Sequence, residues 1–317
     1  MMMYASCMIF IWKCIPLKEA VLPMDSSYQI ITDATCDLPV DLVKKLGLAV
    51  IPMPFMMDGK EYYQYSDNHD FPSHDFYDAL RAGKWVTTSQ ITAADYVDAF
   101  RPYLEAGKDI LYIAFSSGLS GTWQRAYEAM EALRKEYPQR CIEGVDSLTA
   151  TLGEGLLVYL ACCKQQQENL SLHELKAWTE VYRFCVSGWF MVDDLNHLKR
   201  GGRVNAAAAL VGSMLGIKPI LQINQEGKLI VREKARGRRN AILNLLNKME
   251  TRFTKDTSLQ TVFIVHADCA ADAKAVEKEV HARFKPSHIF VNSLGPVIGA
   301  HTGPDAMAIF YMAKDRE

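Results

Sequence analysis

Several features that define specialised proteins are missing from this 317-residue sequence. Neither sign of charge is in excess: 35 Lys and Arg stand against 37 Asp and Glu, a formal net charge of −2. General nucleic-acid binding, which needs a broad basic surface, is therefore not expected. None of the eight cysteines (Cys7, Cys14, Cys36, Cys141, Cys162, Cys163, Cys185 and Cys269) forms a C-x-x-C pair, and no Cys or His run has zinc-site spacing. A chain this long needs no disulfide staples, so the thiols read as reduced and mostly buried, in a cytoplasmic setting. No apolar run reaches the ~20 residues that cross a bilayer. The apolar stretch from Met1 to Trp12 is too short, and it has neither a basic flank nor a small-x-small cleavage site. Because Met24-Asp25-Ser26-Ser27 leads straight into a strand-like segment, translation is expected to start at Met24, with residues 1–27 an extension outside the fold. There is no internal repeat and no low-complexity linker.

The sequence offers instead 49% hydrophobic residues over a length that suggests two domains. Tyr28–Thr32, Leu48–Met53, Asp109–Phe115 and Cys141–Val145 read as buried strands. Trp123, Ala126, Tyr127, Met130 and Leu133 recur at helical spacing, which predicts an amphipathic helix over 121–136. Strand and helix in alternation imply a doubly wound parallel sheet over residues 28–168, a class that binds ligands beyond the carboxyl ends of its strands. After that the rhythm changes. Leu172–Arg183 reads as a helix, and Ser187–Val192, Pro219–Ile223, Lys228–Val231, Thr261–Val265 and His288–Val291 read as strands. A hairpin-type connection at Gln225-Glu226-Gly227-Lys228 points to antiparallel pairing. A second, smaller α/β domain with a mixed or antiparallel sheet is thus expected over 169–300, with 301–317 returning to the interface.

Three segments concentrate hydroxyls, glycine and one histidine at strand ends. Thr87-Thr88-Ser89-Gln90-Ile91-Thr92 precedes a helix-period run, so helix capping by Ser89 or Thr92 is the plain reading. Ser116-Ser117-Gly118-Leu119-Ser120-Gly121-Thr122 joins a strand to the amphipathic helix; it suits an anion at a helix N-terminus or a simple turn. Gly295-Pro296-Val297-Ile298-Gly299-Ala300-His301-Thr302-Gly303-Pro304 predicts a rigid, sharply turned loop around one imidazole. Two cationic runs add to these. Lys199-Arg200-Gly201-Gly202-Arg203 suits a phosphate or carboxylate, and Arg232–Arg239 is either a solvated face or a docking patch. A hydrolase with a serine from 116–120, His301 and Asp33 is one reading, but the G-x-S-x-G elbow is absent. A binder of some other carboxylate or phosphorylated metabolite is another.

Together the segments resemble the DegV family of fatty-acid-binding proteins, which serve a separate fatty acid kinase. The resemblance runs from Tyr28 to Lys314. It is carried by Thr32-Asp33-Ala34-Thr35-Cys36-Asp37-Leu38-Pro39, Thr87-Thr88-Ser89-Gln90, Ser117-Gly118-Leu119-Ser120-Gly121-Thr122, Leu198-Lys199-Arg200-Gly201-Gly202-Arg203 and His301-Thr302-Gly303-Pro304, in that order. It implies a Rossmann-like first domain, a smaller α/β second domain and a fatty-acid tunnel between them. By the same resemblance the ligand carboxylate is held by Thr88, by Ser116 or Ser117, and by His301. No cofactor is implied. The partner is a dihydroxyacetone-kinase-like subunit that phosphorylates the bound carboxylate, with Arg203 and Arg200 at the phosphate or the kinase. Transient contact with a membrane surface is also implied. Candidates to line the tunnel are Phe55, Met56, Phe115, Met191, Val211, Met214, Leu215 and Ile217. Two positions depart from the family pattern: Ile91 replaces the usual Pro, and Asp305 replaces the usual Gly, where its carboxylate would raise the pKa of His301 or repel an anion.

Overall fold

The computed structural model describes residues 27–193, 195–204, 216–253 and 260–316. The Met24 start and the tunnel candidates Val211, Met214 and Leu215 lie outside the described residues. In chain order the elements are β1 (Tyr28–Asp33), α1 (Val40–Leu46), β2 (Ala49–Ile51), β3 (Met53–Met57), β4 (Lys60–Gln64), α2 (Ser73–Arg81), β5 (Val86–Thr88), α3 (Ala93–Glu105), β6 (Asp109–Ala114), α4 (Thr122–Glu136), β7 (Ile142–Asp146), α5 (Leu152–Glu168) and α6 (Leu172–Tyr182). There follow β8 (Val186–Met191), α7 (Asn196–Arg200), β9 (Ile217–Ile223), β10 (Leu229–Arg236), α8 (Arg238–Arg252), β11 (Thr261–His266), α9 (Ala270–Phe284), β12 (His288–Ser293), α10 (Pro296–Thr302) and β13 (Met307–Met312).

Three sheets organise these elements. A parallel sheet has the order β2-β1-β6-β7. The helix pair α3–α4 and the pair α5–α6 both pack on β6 and β7, so both faces are covered, and Leu111, Tyr112 and Ile113 are buried in succession. A six-stranded mixed sheet has the order β10-β9-β8-β13-β11-β12, parallel only between β11 and β12. A small antiparallel sheet, β4-β3-β5, completes the set. The chain is therefore an α/β fold with a parallel sheet and a separate mixed sheet. The run Leu48–Met53, expected as one strand, is two: Pro52 breaks it, and β2 and β3 enter different sheets.

Side-chain alternation divides the mixed sheet. Trp189, Met191, Ile264 and Ile309 face outward beneath α8 and α9, where Leu245, Met249, Val276 and Val280 cover them. Phe190, Val265, Ala308 and Phe310 point the other way, into the main core. The segment from residue 301 supplies β13, which lies inside the mixed sheet between β8 and β11. The cationic run spans the edge strand β10 and the start of α8: Lys234, Arg236 and Arg239 are exposed, Glu233 pairs with Lys248, and Arg238 pairs with Asp272. Charge on an edge strand discourages pairing with another chain.

The helix α5 joins the sheets, packing on β6 of one and on β8, β11 and β13 of the other. It is buried continuously from Leu152 to Lys164, so it has no polar face and gives no amphipathic period to read. Its side chains are small where backbones approach. A Cβ on Gly155 would lie 2.6 Å from the Cys36 carbonyl oxygen and 3.0 Å from Leu38 Cδ2. Gly155→Ala is expected to lower the unfolding free energy by roughly 1–3 kcal/mol, although alanine favours a helix by ~1 kcal/mol. Denaturant unfolding checks this; a stabilised variant would show that α5 does not sit this close.

Candidate ligand-binding site

Where the carboxyl end of β6 approaches the mixed sheet, a cavity opens with about 970 Å³ of atom-free space, its mouth included. Its deep wall is apolar: Met53, Phe115, Phe190, Val265, Leu294, Val297 and Phe310 among others. Its polar groups include Thr88, Ser89, Gln90, Ser120, Arg203, His301 and Thr302. Of the described tunnel candidates, Phe115 lines the cavity. Phe55 belongs to an aromatic cluster with Tyr62, Phe71 and Phe76, and Met191 lies on the outer face of β8, where its neighbour Phe190 takes the inward position. Met56 and Ile217 are half-buried and do not line it.

Thr88 ends β5, and His301 sits in the last turn of α10; Thr88 Oγ1 and His301 Nε2 are 2.8 Å apart. The segment expected as a loop is this helix, begun by Gly295 and Pro296 and ended by Gly303 at φ +76°. Burial holds the His301 pKa down at about 4, helped by the charge of Arg203 and by the neighbouring His197, so the imidazole is neutral. The expectation that Asp305 raises it is overturned. Asp305 adopts φ +63°, a conformation that suits glycine and is tolerated by aspartate, and its carboxylate lies 3.3 Å from Arg81, turned to another partner. The other departure, Ile91, is buried in the core. Beside the imidazole stands Gly201: a Cβ there would lie 2.0 Å from His301 Nδ1.

The serine loop is placed differently from expectation. Ser116 Oγ is fully buried, donates to Gly227 O at 2.9 Å and accepts from Gly118 N at 3.1 Å, while Ser117 is exposed outside the cavity. Neither serine reaches the cavity; Ser120 does. Several loop amides are engaged within the protein, with Leu119 and Ser120 N–H on Ser116 O and Ser117 N–H on Asp146. The glycine serves a backbone approach instead: a Cβ on Gly118 would lie 2.5 Å from the Glu226 carbonyl oxygen of the β9–β10 hairpin. Thr92, one of the two expected caps, does cap α3 in a capping box with Asp95. The hydrolase constellation is not assembled: His301 Nε2 meets Thr88, and Asp33 is held by Thr35, Tyr112 and Phe115 N.

Arg203 lines the cavity and also an outer cleft formed with Lys84, Trp85, His197, Arg200 and Gly201, and Thr88 and His301 border both spaces. Its Nε donates to Leu119 O at 3.0 Å, tying the α7 loop to the serine loop. Arg200 is exposed, over the Trp85 ring and 2.8 Å from His197 Nδ1.

Beneath the cavity lies a feature no spacing in the sequence announces. Asp37 accepts from Thr151 Oγ1 at 2.5 Å, Gln64 Nε2 at 2.9 Å and Gly295 N at 3.0 Å, and its backbone carbonyl accepts from Asn292 Nδ2 at 2.7 Å. These partners come from the start of α5, from β4, and from β12 and its junction with α10. Two more buried carboxyls, Asp33 and Glu154, share the region. Burial raises the pKa of all three, and that of Asp37 is pushed up to about 7. An unfolded aspartate titrates near 4, so between about pH 4 and 7 the folded state binds the extra proton, and this group's contribution falls as pH rises. Asp37→Asn is expected to gain stability relative to the parent across that window, on the order of 1.4 kcal/mol per pH unit at most. Thermal unfolding at several pH values measures the difference; a difference constant with pH would show that Asp37 is ionised throughout.

These features define an α/β protein with an apolar ligand chamber whose mouth is polar. The profile described as "Uncharacterised protein, DegV family" matches residues 27–314, and the chain belongs to the DegV family. It is 38% identical over 290 residues to a DegV domain-containing protein of Clostridium perfringens, covering 92% of this chain and 99% of that one. To a DegV domain-containing protein of Lactococcus lactis it is 37% identical over 293 residues, covering 92% and 100%. Among solved structures, a DegV family protein of Thermus thermophilus described for its fatty acid binding is similar, with TM-score 0.78 and 29% identity over 90% of this chain and 99% of that one. So is a fatty acid binding DegV family protein of Streptococcus agalactiae, with TM-score 0.78 and 27% identity over 92% and 100%.

Proposed function

We propose that this protein binds a long-chain fatty acid, with the tail in the apolar chamber and the carboxylate at the Thr88–His301 pair. The observation that carries the proposal is that pair: a hydroxyl and a neutral imidazole, hydrogen-bonded at 2.8 Å, where an otherwise apolar cavity meets a cationic cleft. In the tautomer with the proton on Nε2, His301 donates to Thr88 Oγ1 and turns the hydroxyl hydrogen toward the ligand. Ser120 adds a second hydroxyl and Arg203 a nearby positive charge. The fatty acid binding described for the Thermus and Streptococcus relatives supports the same assignment.

Magnitudes divide the labour. Each buried methylene contributes ~0.8 kcal/mol, against ~1.5–3 kcal/mol for one hydrogen bond to a charged group. The tail supplies the affinity, and the polar mouth fixes which end faces out. From there the carboxylate is presented through the outer cleft to a separate, dihydroxyacetone-kinase-like subunit, which transfers a phosphoryl group to it. One carboxylate oxygen attacks phosphorus, the nucleoside diphosphate leaves, and an acyl phosphate remains on this protein. Arg203 and Arg200 offset the charge that accumulates. No metal or cofactor of its own is required for this role.

Purified protein examined by native mass spectrometry is expected to carry a long-chain acid; recovery with only a short or phosphorylated metabolite would favour the other carboxylate reading. Thr88→Ala and His301→Ala are each expected to weaken retention about 10- to 150-fold without loss of fold. Gly201→Ala is the sharper variant. Its backbone tolerates alanine at φ −73°, so the new methyl acts only by displacing the imidazole, and retention should fall to the His301→Ala level. Wild-type retention in Gly201→Ala would show that the imidazole does not hold the ligand. Arg203→Ala is expected to reduce kinase-dependent acyl phosphate formation more than fatty acid retention; equal losses would contradict the division of roles.

A further inference from the structure

The parallel sheet carries a second cluster at the end remote from the cavity. Cys141 stands just before β7 and Glu143 two residues later, so both side chains leave the same face of the strand. The helix α6 packs on β7, and its first turn brings His173 to them. His173 Nε2 is 3.7 Å from Cys141 Sγ, and a sulfur, an imidazole nitrogen and a carboxylate oxygen of the three residues all lie within 4.8 Å of one another. Two donors on a tetrahedral zinc ion, at bond lengths of ~2.3 Å to sulfur and ~2.0 Å to nitrogen, are ~3.5 Å apart. The Cys141–His173 pair is thus already close to ligand spacing, and the Glu143 carboxylate lies within reach of both.

Each ligand is positioned by the fold. The Cys141 N–H donates to Asp109 Oδ1 at 2.9 Å, and its carbonyl accepts from Ile110 N at 2.9 Å. The start of α6 is fixed by the capping box of Ser171 and Glu174. Glu143 faces two cations, Lys176 at 2.8 Å and Arg134 at 3.7 Å, and both contact the same oxygen, Oε2. Neither engages the other oxygen. Cys141 and Glu143 are half-buried and His173 is exposed, so an ion can enter from solvent.

We infer that Cys141, Glu143 and His173 form a binding site for one divalent transition-metal ion of the zinc class. The thiolate and imidazole select such an ion over magnesium or calcium, which prefer oxygen donors. Three protein ligands leave the fourth position to water or an external donor. A bound ion would staple the start of α6 to the start of β7. The 29 residues between Glu143 and His173 explain why no spacing in the sequence announces the site.

The test is titration of the chelator-treated full-length protein with Co²⁺ and then Zn²⁺, followed by absorption. One equivalent of Co²⁺ should give a thiolate-to-metal charge-transfer band together with the visible bands of tetrahedral cobalt, and Zn²⁺ should displace it. Cys141→Ser should abolish the charge-transfer band, and His173→Ala and Glu143→Gln should each weaken Zn²⁺ binding roughly tenfold or more. Melting temperatures measured in chelator should match the parent, showing that the variants fold. A charge-transfer band that persists in Cys141→Ser, an unchanged affinity in His173→Ala, or no stoichiometric binding by the parent would overturn the assignment.

Discussion

The Asp37 carboxylate is the point on which the site depends. It ends the first strand's turn in a left-handed conformation and gathers donors from α5, β4 and the β12–α10 junction. Each of those elements then contributes to the chamber: Thr151 and Ala150 before α5, Leu294 and Val297 at α10, Met53 on the strand paired with β4. Gln64 extends the same link, since its amide oxygen accepts from Val297 N at 2.8 Å while its nitrogen reaches Asp37. A buried carboxyl is costly unless its oxygens are satisfied. Here satisfaction requires the parallel sheet, the small sheet and the mixed sheet to be in register at once, and that register creates the space between them.

The chamber's chemistry follows from its two ends. Inward-facing residues of β8, β11 and β13 supply an apolar wall, because alternation sends their neighbours to the other face beneath α8 and α9. At the mouth, desolvation and the neighbouring Arg203 keep His301 neutral, so it acts as a hydrogen-bonding group and leaves the fixed positive charge to Arg203. Glycine at 201 lets the α7 loop lie against the imidazole. Under the proposed function this arrangement would take an amphiphile in one direction, with the apolar part inward and the acid toward the cationic cleft.

Much of this was legible in the sequence. The apolar runs of β1, β6, β7, β8 and β11 and the period of α4 placed the main strands and one helix within a residue or two. Thr88, His301 and Arg203 do meet at one place. What could not be read has physical causes. The helix α5 is buried on all sides and so has no period, and the small sheet β4-β3-β5 is short and interrupted by Pro52 and Pro54. The serines at 116 and 117 stay out of the chamber because a small-residue loop also suits backbone packing, which is its use here; Ser120, three residues on from Ser117, faces the chamber. The tunnel candidates differ from the cavity lining for a simpler reason. Neighbours on a strand point to opposite faces, so choosing Met191 over Phe190 selects the wrong side of the sheet.

The most direct measurement is a crystal structure of the protein with a saturated long-chain fatty acid. The carboxylate should lie within hydrogen-bonding distance of Thr88 Oγ1 or His301, with the tail running past Phe115 toward Phe190 and Phe310. A carboxylate at the Phe310 end, or an acid bound outside the chamber, would contradict the direction and the site proposed for the ligand.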